Sequence, residues 1–142
     1  MASADSKHKN LKPTILVVED HDALRDSLKK WLSSIFNNCS VLQAKSGEEA
    51  LDAVSTQAPD IVLMDIMLPM MNGIDAARRL KNAFPDTQVV MLSIYEDSAY
   101  KADAVAAGVS AYISKRKMGT ELIPVITKLL YGQGIRNSEL PN

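Results

Sequence analysis

A single cysteine, Cys39, stands among the 142 residues, which excludes an internal disulfide and a thiolate metal cage and suits a reducing compartment. Its plain reading is a small apolar strand residue. His8 and His21 lack the spacing of a metal site, so neither is assigned a role. Net charge is nearly absent as well: 16 Lys+Arg against 17 Asp+Glu leave -1, too little for a global field that would hold nucleic acid or an anionic membrane. Met1 to Pro13 carries lysines but no apolar run, which argues against a signal peptide or membrane anchor there and reads as a flexible lead-in. Internal repeats and low-complexity tracts are missing. What is present is 46% hydrophobic and 23% charged residues, the balance of one globular domain, expected in the cytoplasm.

Thr14 to Glu19 is a short β-branched apolar run that ends abruptly in acids, as a fully buried parallel strand does at its carboxyl end. From Asp20, available as a cap, apolar residues recur at Leu24, Leu28, Trp31 or Leu32 and Ile35, the stripe of one helix, with Trp31 read as core. Ser40 to Lys45 predicts a second strand, and Ser46 with Glu49 a capping box that opens a helix to about Gln57, closed by Pro59. Asp60 to Asp65 is a third buried strand, again closing on a carboxylate before the loop Ile66 to Gly73. Asn72 caps a helix to about Phe84, Pro85 stops it, and Thr87 to Ser93 gives a fourth strand. The small-residue segment Asp97 to Ala107 reads as a weakly held helix stopped by Gly108. Val109 to Ile113 supplies a fifth strand, and apolar residues from Leu122 to Leu130 mark a last helix with Pro124 in or near its first turn. The folded unit thus spans residues 14–132, and Gln133 to Asn142 reads as a tail or the start of a linker to an output domain.

Strands alternating with helices in this way predict an α/β fold: a doubly wound, five-stranded parallel sheet with helices on both faces. Ligands of such sheets bind beyond the carboxyl ends of the strands, where the strand order reverses. Glu19, Asp20 and Asp65 meet there if the first and third strands adjoin, and three carboxylates repel one another. A hard divalent cation with oxygen ligands offsets that charge, Mg²⁺ above all. Ser93 ends the fourth strand, and the fifth leads through Ser114 to Lys115, so a hydroxyl and a cation arrive at the same edge. Taken singly, these are solvated acids, helix caps, a turn serine and a surface lysine. Taken together they describe a phosphoryl site.

The acid pair Glu19-Asp20, the stretch from Asp65 through Pro69 to Gly73, Ser93, and the run from Ala107 through Tyr112 to Lys115 resemble the receiver (CheY-like) domain of two-component response regulators in order and spacing. The resemblance covers about Ile15 to Gly132. It implies a flavodoxin-like strand order 2-1-3-4-5, a phosphoacceptor at Asp65, and Mg²⁺ held by Asp20, Asp65 and the backbone carbonyl of Met67, with Glu19 acting through water. Ser93 and Tyr112 match the family's switch positions, and Lys115 its phosphate-facing lysine. Implied partners are a sensor histidine kinase and a second copy through the face of the fourth helix, fifth strand and fifth helix. The Asp20-His21 pair, the stretch from Ser110 to Lys115 and the absence of proline after it resemble the subgroup with a LuxR/NarL-type helix-turn-helix output domain, through which alone DNA would be bound.

A carboxylate is a competent nucleophile toward phosphohistidine, and a metal with Lys115 stabilises charge on the transferring oxygens, so such a chain catalyses only its own phosphorylation and dephosphorylation. Lys115, read as an edge lysine, is expected to add little to stability. Gly73 is expected to supply backbone angles that a side chain would penalise. Two departures from the family pattern stand out: Arg116 where proline in a cis bond is common, and Glu19 for the commoner aspartate. Met67 and Tyr95, two residues beyond Asp65 and Ser93, offer no acid or amide to orient water, so slow dephosphorylation is expected. Competing readings are an aspartyl-phosphate phosphatase, which wants an acid where Met67 stands, a flavin or nucleotide module, which lacks its glycine-rich loop, and a docking module independent of phosphorylation.

Overall fold

The structure, a computed structural model, describes residues 12–132, so the expectations for the lead-in and the tail lie almost wholly outside the described residues. Five strands, β1 (Thr14–Val18), β2 (Ser40–Ala44), β3 (Ile61–Asp65), β4 (Gln88–Ser93) and β5 (Ala111–Ser114), pair in parallel in the order β2-β1-β3-β4-β5. Between and after them run α1 (Asp22–Ile35), α2 (Gly47–Thr56), α3 (Gly73–Ala83), α4 (Ser98–Ala106) and α5 (Met118–Tyr131). The doubly wound, flavodoxin-like expectation is thereby met.

Alternation along the strands builds two cores. Leu16, Val18, Val62, Met64, Val89 and Met91 face one way, onto Val54 of α2, Leu80 of α3 and Ala104 of α4. Ile15, Val17, Ile61, Leu63, Val90 and Leu92 face the other, onto Leu28 and Leu32 of α1 and Leu122 and Ile126 of α5. Strands β1 and β3 are buried at every residue, which is why they read as unbroken apolar runs.

Local signals explain most boundaries. Asn72 accepts from the Asp75 N–H and caps α3, and Ser46 accepts from the Glu49 N–H and caps α2, while Glu49 reaches back to the Lys45 N–H. Gly108, at φ 93°, ends α4 in the left-handed region, and the Val109 N–H returns to the Ala104 carbonyl. Only Ala104 of α4 is buried, in keeping with a lightly held helix.

Four expectations need correction. Residue Asp20 does not cap α1: His21 occupies that position without a side-chain bond, and its N–H is taken by the Glu19 carboxylate at 3.1 Å. Trp31 is half-buried against the α1/α5 core, and Leu32 is the fully buried residue of that turn. Pro124 lies well inside α5, since a 3₁₀ turn over Lys115–Lys117 feeds straight into a helix starting at Met118. Pro124 and Thr120 are both exposed, so the carbonyl that loses its donor faces water. Gly73 has no positive φ; Met70, at 70°, carries the left-handed residue of that loop. What Gly73 provides is room: a Cβ there would overlap the Asp65 carbonyl oxygen and stand 2.8 Å from the Ile66 Cα.

Candidate functional site

Sheet register assembles the site. Val18 pairs with Met64, which sets Glu19 abreast of Asp65 at the carboxyl edge, and Ser93 pairs with Ser114, which delivers Lys115 one residue later to the same edge. With β1 between β2 and β3, the strand order reverses at the crevice holding these acids. Glu19, Asp20, His21, Leu24, Asp65, Met67, Ile94 and Lys115 line it.

Lys115 Nζ donates to Glu19 Oε1 and to Asp65 Oδ2, each at 3.0 Å. The two carboxylates are almost wholly buried, at 2% and 7% side-chain exposure. Burial pushes the Glu19 carboxyl above its ordinary range, with the Asp65 charge adding to this and the Lys115 bond opposing it. For Lys115, burial works to lower the value, but its bonds to Glu19 and Asp65 outweigh that and hold the ammonium above the ordinary lysine value, so it is charged at neutral pH. Carboxylate oxygens of Glu19, Asp20 and Asp65 all lie within 4.8 Å of one another, and Asp20 is exposed. Three hard oxygen donors at such spacing, one of them open to solvent, fit Mg²⁺, which favours one or two carboxylates plus water and phosphate oxygens.

This geometry corrects the reading of Lys115 as a peripheral charge. It is the cation that compensates two buried acids, and its loss leaves them facing each other. Lys115→Ala is therefore expected to lower unfolding stability in EDTA by on the order of 3 kcal/mol, with added Mg²⁺ recovering part of the loss. Denaturant unfolding with and without Mg²⁺ checks this; an unchanged midpoint in EDTA would return Lys115 to the surface.

The remaining expected residues fall into place around this centre. Met67 lines the crevice, its N–H donating to Asp65 Oδ1 at 3.1 Å. Ser93 is fully buried, and its Oγ accepts from the Tyr95 N–H at 2.8 Å. Tyr112 donates its hydroxyl to the Tyr95 carbonyl at 2.8 Å. Both switch candidates thus hold the backbone of one residue, a link the sequence does not announce. The Tyr95 ring stacks on Tyr100 of α4, centroids 5.0 Å apart, so it is Ile94 rather than Tyr95 that lines the crevice.

Arg116, standing where proline is common in resembling chains, leaves the backbone trans and places its guanidinium Nε and Nη2 on Glu96 Oε2, at 3.0 and 2.6 Å. Ser114 Oγ accepts from the Arg116 N–H and donates to Glu96 Oε2, each at 3.3 Å, so the turn that presents Lys115 is tied to the β4–α4 loop. The Arg116 bonds hold the Glu96 carboxyl below its usual range.

Comparison with known proteins decides the family. The pattern of the response regulator receiver domain matches residues 15–127. This chain belongs to the response regulator receiver domain family. Among relatives of this receiver domain, "Response regulator GacA" of Pseudomonas viridiflava is 34% identical over 119 residues, covering 84% of the chain and 56% of that protein. "Transcriptional regulatory protein DegU" of Brevibacillus brevis is 32% identical over 118 residues, covering 83% and 50%. A solved two-component response regulator of the LuxR family from Aurantimonas sp. SI85-9A1 superposes with a TM-score of 0.77 at 26% identity, covering 84% of this chain and 86% of that one. The receiver domain spans about half the length of the curated relatives it matches. Among its described residues, no helix is long and apolar enough to cross a membrane.

Proposed function

We propose that this receiver domain accepts a phosphoryl group on Asp65 from the phosphohistidine of a sensor kinase, in a Mg²⁺-dependent reaction, and switches conformation to control an output. The observation that carries the reading is Lys115 bonded at 3.0 Å to both Glu19 and Asp65, with Asp20 beside them in an open crevice. Asp65 Oδ2 attacks phosphorus, the donor's N–P bond breaks, and the imidazole leaves with the electron pair. Lys115 is already in place to hold the charge of the transferring oxygens. Glu19, Asp20, Asp65 and the Met67 carbonyl are the groups that would hold Mg²⁺, which supplies charge neutralisation at the transferring phosphoryl. The Met67 and Ile94 side chains that line the crevice are apolar and can orient no attacking water, which favours a long-lived acyl phosphate. On this reading the chain is no metabolic enzyme and catalyses only its own phosphorylation and dephosphorylation. It works in the cytoplasm, and the output it controls is DNA binding by a LuxR/NarL-type domain.

The switch follows from the Tyr95 backbone. When the Ser93 hydroxyl turns to donate to a phosphoryl oxygen, the Tyr95 N–H loses its acceptor, and the loop bearing the Tyr112 anchor shifts with it. The face of α4, β5 and α5 then changes, and self-association or partner docking through it responds. A few kcal/mol of differential stabilisation suffice for such a population change. With fluoroberyllate and Mg²⁺, hydrogen exchange is expected to slow or redistribute across residues 93 to 130, α4 showing the largest change; identical protection with and without the analogue would refute the switch.

A further inference from the structure

Arg25, on the first turns of α1, has no part in the phosphoryl chemistry, yet its side chain is only 15% exposed and each of its three guanidinium nitrogens makes a hydrogen bond. Nη1 donates to the Glu19 backbone carbonyl at 2.9 Å, Nε to Gln43 Oε1 at 3.0 Å, and Nη2 to Asp22 Oδ1 at 2.7 Å. The fork thus joins α1, the end of β1 and strand β2. Across β2, the Glu19 N–H is taken by the Ala44 carbonyl at 3.1 Å. Glu19 is therefore fixed on both sides of its Cα: its N–H by the sheet, its carbonyl by Arg25.

The Glu19 carbonyl belongs to the peptide plane that also carries the Asp20 nitrogen and Cα, so whatever holds that oxygen sets where Asp20 departs from the backbone. Asp20 makes no side-chain hydrogen bond among the described residues and is exposed, in contrast to Glu19, whose carboxylate is held by Lys115 and His21. Its oxygen nonetheless lies within 4.8 Å of those of Glu19 and Asp65. With no side-chain partner, that placement rests on the backbone.

We propose that Arg25 is a positioning residue for the acid pair, holding the Glu19–Asp20 peptide so that Asp20 reaches a cation shared with Glu19 and Asp65. The inference rests on the Mg²⁺ site proposed above. A guanidinium is suited to the task because its planar fork serves three acceptors at fixed angles, which an ammonium cannot do. The sign of the effect separates positioning from charge. Removing a positive group near three acids strengthens cation binding by Coulomb's law, whereas losing the peptide's anchor weakens it.

The test is calorimetric titration of Mg²⁺ into the wild type, Arg25→Met, Arg25→Lys, Asp20→Ala and the Arg25→Met/Asp20→Ala double variant. Arg25→Met is expected to weaken Mg²⁺ binding about tenfold, as loss of an outer-sphere partner does, and Asp20→Ala at least as much. Arg25→Lys keeps the charge but offers one nitrogen in place of three, and falls between wild type and Arg25→Met. In the Asp20→Ala background the Arg25 substitution is expected to cost nothing further, because residues acting through one group are non-additive. Unchanged or tighter binding by folded Arg25→Met, with Asp20→Ala weakened, overturns the proposal alone. A loss that adds in full to that of Asp20→Ala overturns it too. If Arg25→Met does not fold, Arg25→Lys in the two backgrounds decides in the same way. A wild type that binds no Mg²⁺ overturns the cation site itself and the proposal with it.

Discussion

Asp65→Asn is expected to remain unmodified in acetyl phosphate and Mg²⁺ under conditions that label the wild type, a complete loss rather than a slowing. The asparagine amide is a far poorer nucleophile toward phosphorus than a carboxylate, and the change removes one of the two acids to which Lys115 is bonded. Fold is not the cause of the loss. The amide keeps the shape of the side chain, its one oxygen can serve the Met67 N–H or Lys115 as the two Asp65 oxygens do, and Lys115 keeps its bond to Glu19. One buried negative charge fewer also eases repulsion with Glu19, so the variant is expected to unfold no earlier than the wild type in EDTA. Intact mass of the two proteins after incubation checks this. Equal labelling would move the acceptor elsewhere.

Gly73→Ala is expected to be the most damaging small substitution near the site, costing more than about 3 kcal/mol of stability and reducing phosphorylation with it. Two properties of the position combine. The Gly73 N–H donates to the Ile66 carbonyl at 2.8 Å and closes the loop that carries Met67, so the backbone there is fixed. The added methyl would meet main-chain atoms of Asp65 and Ile66, which have no rotamer by which to step aside. Relief requires moving α3 away from the end of β3, and that moves the acceptor carboxylate. Denaturant unfolding reads the stability, and Gly119→Ala, at a helix position with nothing within 4 Å of the new methyl, is the matched control. Equal stability of Gly73→Ala and wild type would show that the loop yields.

The strands and the joint placement of Glu19, Asp65, Ser93 and Lys115 were legible because a doubly covered parallel sheet writes itself as apolar runs, and its functional edge as the residues where those runs stop. The caps Ser46 and Asn72 were legible for the same local reason: each is satisfied within three residues. What was not legible depends on distant partners. The Glu19 carboxylate that takes the His21 N–H is itself placed by Lys115, 96 residues along the chain, so the local pattern alone did not show that α1 starts after His21 rather than after Asp20. The start of α5 was hidden because Gly119, Thr120 and Glu121 are exposed and carry no apolar stripe, which left Pro124 as the apparent first-turn residue. Gly73 was singled out for the wrong property, because close approach of α3 to β3 is a packing fact that backbone preference does not contain. That Lys115 reaches the acids' edge was legible, but that it bonds two buried carboxylates, and that Arg25 closes on the Glu19 carbonyl, only the fold shows.

The central claim is that Asp65 is the residue that carries the phosphoryl group. Borohydride reduction converts an aspartyl phosphate to homoserine and leaves a free aspartate untouched, so it marks the acceptor covalently. Wild-type protein phosphorylated with acetyl phosphate and Mg²⁺, reduced, digested and sequenced by mass spectrometry is predicted to carry homoserine at position 65, with Asp20 unchanged. Homoserine at Asp20, or at neither position despite a phosphorylated intact mass, would contradict the account.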